Sequence, residues 1–127
     1  MTFSTDLKSH LQADPAVSVI VDDRITPSKL QDLSAMPAAV YSFVYGETQN
    51  SLDGFTSGRV IYRVQIDCWA LTYRQAELLA LAIRDRMNAA PAMFTSSSVG
   101  FPSFVEYEDE TKRHRWVLEF ICGHRES

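Results

Sequence analysis

Apolar and polar residues alternate over Arg59–Leu71, and this two-residue period predicts a strand with two different faces. The even positions are apolar and are expected in the core: Val60, Tyr62, Val64, Ile66, Cys68 and Ala70. The odd positions are mixed: Ile61, Arg63, Gln65, Asp67 and Trp69. The pattern therefore predicts an antiparallel strand with one face in the core and the other partly wet or in contact with a partner.

A second alternating run, near the end of the sequence, predicts another core strand. One face is apolar: His114, Trp116, Leu118, Phe120 and Cys122. The other is mixed: Arg113, Arg115, Val117, Glu119 and Ile121. Aromatic and β-branched content predicts a strand at Ala38–Tyr45 and a weaker one at Phe104–Glu108, with a polar hairpin tip at Asp109–Lys112.

Two segments have the pattern of amphipathic helices. The first runs from about Ser4 to Ala13, with Ser4 or Thr5 as N-cap, and ends at Asp14-Pro15. The second has Thr72 as N-cap in a capping box with Gln75, and ends before Pro91. Its apolar stripe is expected to pack on the even face of the preceding strand: Ala76, Leu79, Ala80, Ile83 and Met87.

Three connecting segments are less regular. Ala16–Ile25 fits either a strand, because Val17, Val19 and Val21 alternate, or a short helix. Gly46–Gly58 is polar and rich in glycine, and is expected to form a projecting hairpin loop. Thr95–Ser98 is expected to be a serine-rich turn.

The order of these elements predicts an α+β fold, an antiparallel sheet of about four strands with helices packed on one face. The length of 127 residues and the 46% hydrophobic content fit a single globular domain over residues 1–127. The sequence has no apolar run of 18 residues and no basic start followed by an apolar run, so neither membrane insertion nor secretion is expected.

The chain carries 12 Lys+Arg and 16 Asp+Glu, a formal net charge of −4. No basic stripe neutralises phosphates, so sequence-specific DNA binding is not expected. The basic residues near the predicted strands can form cross-strand ion pairs, or a contact surface at a subunit interface or beside packaged DNA. They are Arg59, Arg63, Lys112, Arg113 and Arg115.

No motif predicts a catalytic, cofactor-binding or metal site. Cys68 and Cys122 lie in apolar runs, as expected of buried thiols, and a bridge between them stays open if their strands are neighbours. Cys122-Gly-His124 lacks the further paired ligands that zinc needs. The carboxylates at the hairpin tip form no calcium loop, and the glycines form no phosphate loop. Those carboxylates are Glu106, Glu108, Asp109 and Glu110.

Several segments together resemble a known phage family: Thr5–Leu11, Asp23–Pro27, Met36–Tyr41, Arg63–Ala70 and Tyr73–Glu77. The most specific of them is Arg-Val-Gln-Ile-Asp-Cys-Trp-Ala at 63–70 with the helix after it. In these segments the chain resembles the tail-completion proteins of phages with long, non-contractile tails, a family related in fold to tail terminators.

This resemblance implies a non-enzymatic virion protein, made in the host cytoplasm, that assembles as a ring of six copies. The ring caps the head-proximal end of the tail tube, stops tube growth and meets the head connector, with DNA only passing through its lumen. Its expected partners are further copies of itself, the tail tube protein and the connector. The expected contact residues are Leu52, Asp53, Gly54, Phe55, Arg63, Trp69 and Arg115.

Three other functions remain open at this point. Another head–tail neck component, such as a head-closure protein, has a similar size and context. A small hydrolase or thiol enzyme would need a reactive Cys68 or Cys122. A small monomeric or dimeric binding module outside any virus would be supported by a monomer mass at every concentration.

Overall fold

The computed structural model describes residues 2–27, 36–50, 56–89 and 94–125. Three helices and six strands lie in these ranges. In chain order they are α1 (Phe3–Gln12), α2 (Pro15–Val21), β1 (Ile25–Pro27), β2 (Ala38–Asn50), β3 (Thr56–Ala70), α3 (Tyr73–Asn88), β4 (Phe94–Ser98), β5 (Phe104–Glu108) and β6 (Arg113–Arg125).

The strands form one sheet in the order β1, β2, β3, β6, with β4 and β5 both on the far side of β6. β1 runs parallel to β2, and every other pair is antiparallel. β4 pairs with the second half of β6 from Phe94 opposite His124, and β5 pairs with the first half from Phe104 opposite Val117. The last strand in sequence is therefore a central strand of the sheet.

The core lies between the helices and one face of this sheet. In the β3–β6 register Ile66 lies opposite Leu118 and Cys68 opposite Trp116, and all four side chains are buried. Val64, Ala70 and Phe120 extend the same face, whereas Val60, Tyr62 and His114 are half-buried. The predicted α+β fold, with helices on one face of a mainly antiparallel sheet, is confirmed, and β1 and β4 bring the number of described strands to six.

Helix α3 forms as its sequence predicts. The Thr72 side chain accepts a hydrogen bond from the backbone N–H of Gln75 at 3.1 Å, which satisfies one of the free donors at the helix start. All five residues of the predicted stripe are buried, and the helix ends at Asn88.

The N-cap of α1 is Thr2, so the assignment to Ser4 or Thr5 was wrong by at least two residues. The Thr2 hydroxyl accepts a hydrogen bond from the backbone N–H of Thr5 at 3.2 Å. Phe3, the first residue of the helix, is buried. Hydrophobic anchoring of Phe3 extends the helix beyond the polar residues that resemble a cap.

Within residues 16–25, residues 16–21 belong to α2 and Ile25 begins β1. Asp14 accepts from the N–H of Ala16, and Pro15 occupies the first turn of the helix. Val17 and Val21, four residues apart, are buried, whereas Val19 is 81% exposed. The alternation of valines is therefore accidental, and the helical spacing of four decides the structure.

Two predicted loops are largely strand. β2 and β3 stay paired from Gly46 opposite Tyr62 as far as Asn50 opposite Thr56. The prediction of one long loop over Gly46–Gly58 is therefore wrong, and only residues 51–55 of this segment lie outside the described residues. Thr95–Ser98 belongs to β4 rather than a turn. Buried Phe94 anchors β4, and the Thr95 hydroxyl accepts from the N–H of Gly123 at 3.0 Å, so pairing with β6 overrides the weak strand preference of serine.

Candidate functional site

The sheet face opposite the helices carries the charged and aromatic residues of the odd positions. We call this the outer face and define it by Arg63, Asp67, Trp69, Arg113 and Arg115, with their neighbours on β3, β5 and β6. Trp69 lies opposite Arg115 in the register, and Asp67 lies opposite Val117. The helices bury their apolar stripes against the other face, and Val117 is buried outside that core. The outer face thus has its own packing.

Two guanidinium groups lie close to the indole of Trp69. The Cζ atom of Arg113 is 5.1 Å from the Trp69 ring centre, and that of Arg115 is 5.4 Å away. Arg115 also lies 5.2 Å from the ring centre of Phe104 on β5. These are cation–π distances, and they hold three strands together across the outer face.

Carboxylates balance these cations across the same strands. Arg113 donates to Glu108 at 2.9 Å, Arg115 donates to Asp67 at 3.5 Å, and Arg115 also lies 3.8 Å from Glu106. The prediction of cross-strand pairing between arginines and acidic residues is confirmed for these groups. Because the charges are largely compensated, the outer face is not an anion-binding site in itself.

Burial and hydrogen bonding move the pKa values of two of these acids in opposite directions. Burial raises the pKa of Asp67, although a hydrogen bond from Gln65 at 3.0 Å and the charge of Arg115 oppose the rise. The pKa of Glu108 is lowered, first by a hydrogen bond from the Thr111 hydroxyl and then by one from Arg113. Asp67 is thus the acid on this face that loses most hydration.

The predicted contact residues fall into three groups. Trp69 and Arg115 are in contact, as described above. Arg63 lies on the same face but further along β3, where it donates to Glu119 at 3.0 Å. Leu52, Asp53, Gly54 and Phe55 lie outside the described residues.

Sequence reasoning missed the parts that Arg113 and Phe104 play in the contacts around Trp69 and Arg115. Arg113 and Arg115 are two residues apart on one strand, so the alternation already placed them on the same side. What the sequence does not provide is the register that brings Trp69 and Phe104 next to them.

The two cysteines are free and buried, and they do not meet. Their strands are neighbours, but Cys68 lies opposite Trp116 and Cys122 lies opposite Tyr62, six residues further along. The open question of a bridge is therefore answered by the register. Burial raises the pKa of both thiols, that of Cys122 to about 11, so neither is a ready nucleophile.

His124, part of the Cys-Gly-His run, contacts an acid. Its Nε2 atom lies 2.6 Å from Oδ2 of Asp6, and both side chains are buried between α1 and β6. Among the described residues no three His, Cys, Asp or Glu side chains are grouped to hold a metal ion. No helix in the described ranges is long and apolar enough to cross a membrane.

Comparison with known protein families decides what kind of protein carries this fold. The profile of the family described as "Tail completion protein gp17" matches residues 5–124. The chain belongs to this family. The predicted family is confirmed, and the chain is a phage-type structural tail protein.

The fold also occurs in a solved particle. A chain from the structure titled "Virion of native gene transfer agent (GTA) particle" has a TM-score of 0.66 to this chain at 14% identity. The match covers 98% of this chain and 95% of the other, so the two folds agree over nearly their whole length. A comparison with curated proteins gives no match. In this chain the described residues of that fold form a six-stranded sheet with helices on one face.

Proposed function

We propose that this protein caps the head-proximal end of a tail tube as a ring of six copies, stops tube growth and joins the tube to the head connector. Membership of the tail-completion family is the observation that carries the proposal. A similar fold in a chain of a gene transfer agent virion supports it, since that chain also belongs to a virion particle.

A closed ring needs two different patches on each copy, one for each neighbour. The outer face supplies candidate material for one of them: Trp69 and Arg115 are in contact there, and Arg63 is 44% exposed in its side chain. Arginine and tryptophan are enriched in protein interfaces. We assign Arg63, Trp69 and Arg115 to a contact with a neighbouring copy.

The β2–β3 hairpin supplies the second contact. Its pairing continues to Asn50 and Thr56, beyond the last β3–β6 pair at Arg59. A hairpin that outruns the rest of its sheet is suited to reach another protein. We assign Leu52, Asp53, Gly54 and Phe55, which connect these strands, to contact with the tail tube or a neighbour.

The net charge of −4 fits a channel protein through which DNA passes as cargo. Negative charges repel phosphate, so DNA slides past an acidic lumen without binding.

The protein is made in the host cytoplasm and is then located at the head-proximal end of the tail.

The test is electron microscopy of particles from the producing genome with this gene disrupted. Overlong tails establish the capping role, and finished tails of normal length beside filled heads establish the joining role. A plasmid copy of the intact gene should restore joined particles, which controls for effects on neighbouring genes. Normal joined particles after disruption would reject the proposal.

The second candidate is another neck component, such as a head-closure protein. Its disruption would also leave heads and tails apart, so that result does not separate the two candidates. Antibody labelling of heads and tails broken apart from particles that contain the protein does: a head-closure protein stays on the head, and the proposed cap stays on the tail.

A further inference from the structure

Exposed apolar side chains cluster at one end of the molecule, where β3 ends and α3 begins. Val19, Leu71, Tyr73, Leu78 and Tyr107 are between 41% and 81% exposed. They come from α2, the β3–α3 connection, α3 and β5. We call these five residues the end surface.

The end surface has two parts, which lie on either side of α3. The ring of His114 lies 6.0 Å from that of Tyr73 and 4.7 Å from that of Tyr107, centre to centre. On the other side of α3, a groove of about 220 Å³ lies between Val19 and Leu78 and is completed by Ile20, Pro37 and Gln75. Exposed apolar side chains beside a groove are characteristic of a binding surface.

The rim of the end surface is acidic. Asp22 and Asp23 follow α2, and Asp109 and Glu110 lie in the β5–β6 turn, all exposed. None of these four carboxylates forms an ion pair with another described residue.

Few cations offset this rim charge. Lys112 is exposed in the same turn, and Arg24 donates hydrogen bonds to the carbonyls of Ile20 and Pro37. Arg74 is neutralised by Glu77 at 2.6 Å. Among the described residues the acidic groups therefore outnumber the cations, so this part of the rim carries a net negative charge.

This charge excludes several occupants. A second end surface, a nucleic acid and an anionic lipid surface would all be repelled. Most arginines of another copy are already engaged within that copy: those of the outer face pair with acids, Arg84 pairs with Asp85, and Arg86 donates to the carbonyl of His10.

We propose that the end surface binds a second, different protein through a patch that is apolar at its centre and basic at its rim. Protein interfaces commonly combine an apolar centre with a polar rim, and complementary charge steers the two partners together. The proposal rests on the proposed function in one respect, that the partner is a protein of the same particle.

The test places the photocross-linker p-benzoylphenylalanine at Leu78 in the producing cell that lacks the intact gene. The control places it at Ala89, which is exposed at the opposite end of α3. In purified particles we expect irradiation at position 78, but not 89, to join the chain to a different particle protein. The joined peptide should carry Lys or Arg beside apolar residues.

Two results would overturn the inference. One is a product at position 78 that consists of two copies of this chain, and the other is particles that contain the chain but give no product. If the chain is absent from particles made by cells with the intact gene, the proposed function is rejected. Failure of the proposed function and failure of this inference therefore give different results.

A charge reversal tests the rim separately. The double variant Asp109→Lys/Glu110→Lys should lower the yield of the position 78 product about tenfold. The control Asp85→Lys, at the far end of α3, should leave the yield unchanged. An equal yield from the double variant and the control would contradict an acidic rim that binds a basic partner.

Discussion

Asp6 and His124 are 118 positions apart in sequence, yet the Asp6 Oδ2 and His124 Nε2 atoms lie 2.6 Å apart in a buried contact. The contact joins the first helix to the last strand. The ring of Phe3 lies 5.4 Å from that of His124, so an aromatic side chain packs beside the pair.

Replacing Asp6 by Ala should destabilise the protein by about 1–3 kcal/mol, because a buried polar group of His124 loses its acceptor. Asp6→Asn, which keeps an acceptor oxygen, should cost less. Urea unfolding followed by circular dichroism measures both. Exposed Asp85→Ala is the control, and an Asp6→Ala loss no larger than the control would show that the contact contributes little.

Trp116→Ala should cost about 3–5 kcal/mol of unfolding free energy, because a large buried side chain is removed from the core. Trp116 is 5% exposed and lies 5.5 Å from the Tyr73 ring and 6.1 Å from the Phe101 ring. Ile121→Ala, on the same strand but exposed, should cost less than about 1 kcal/mol. A similarly small cost at Trp116 would place its side chain outside the core.

The unfolding free energy should depend on pH through His10. Burial lowers the pKa of His10 from 6.5, so below pH 6.5 the unfolded state binds a proton at this residue more readily than the folded state does. Stability from this group is complete above pH 6.5 and falls as the pH drops through the folded pKa. His10→Gln should therefore lose less stability than the wild type between pH 7.5 and 5.5, and parallel losses would contradict the assignment.

Cys68 and Cys122 should react slowly with a thiol reagent in the folded protein and rapidly in urea. Both thiols are buried, and burial raises the pKa of Cys122 to about 11, which leaves little thiolate at neutral pH. Single variants Cys68→Ala and Cys122→Ala assign the rates. Fast labelling of either thiol in the folded protein would revive the thiol-enzyme alternative.

Replacing Leu52–Phe55 by an Asn-Gly turn should leave a folded subunit that no longer joins tail tubes. The β2–β3 register is set by pairs outside the replaced segment, such as Tyr41 with Ile66, so the sheet is retained. Urea unfolding checks the fold, and co-sedimentation with tail tubes checks assembly. Unimpaired co-sedimentation would reject the role of this segment.

The sequence was sufficient to predict an element where its local pattern and its tertiary contacts agree. The cap at Thr72 and the stripe ending at Met87 are determined within α3 itself, and alternation alone separated the faces of β3 and β6. Ser96 and Ser97 carry no strand signal, and β4 exists because β6 has an edge for it to pair with. Such long-range pairing has no local pattern.

Local pattern and long-range pairing also differ in what they predict about the candidate sites. Trp69 and Arg115 could be selected from the odd positions of two strands, although their contact required the register. The end surface could not be found in this way, because Val19, Leu78 and Tyr107 belong to three segments with no shared period.

The position of β6 has a consequence for synthesis. It is made after every other described strand, yet it separates β3 from β4 and β5 in the sheet. Until it emerges, these three strands lack a common partner, and long-range pairing of this kind forms slowly. An unfinished chain therefore lacks Arg113 and Arg115 and, with them, the contacts that both residues make with Trp69 across the outer face.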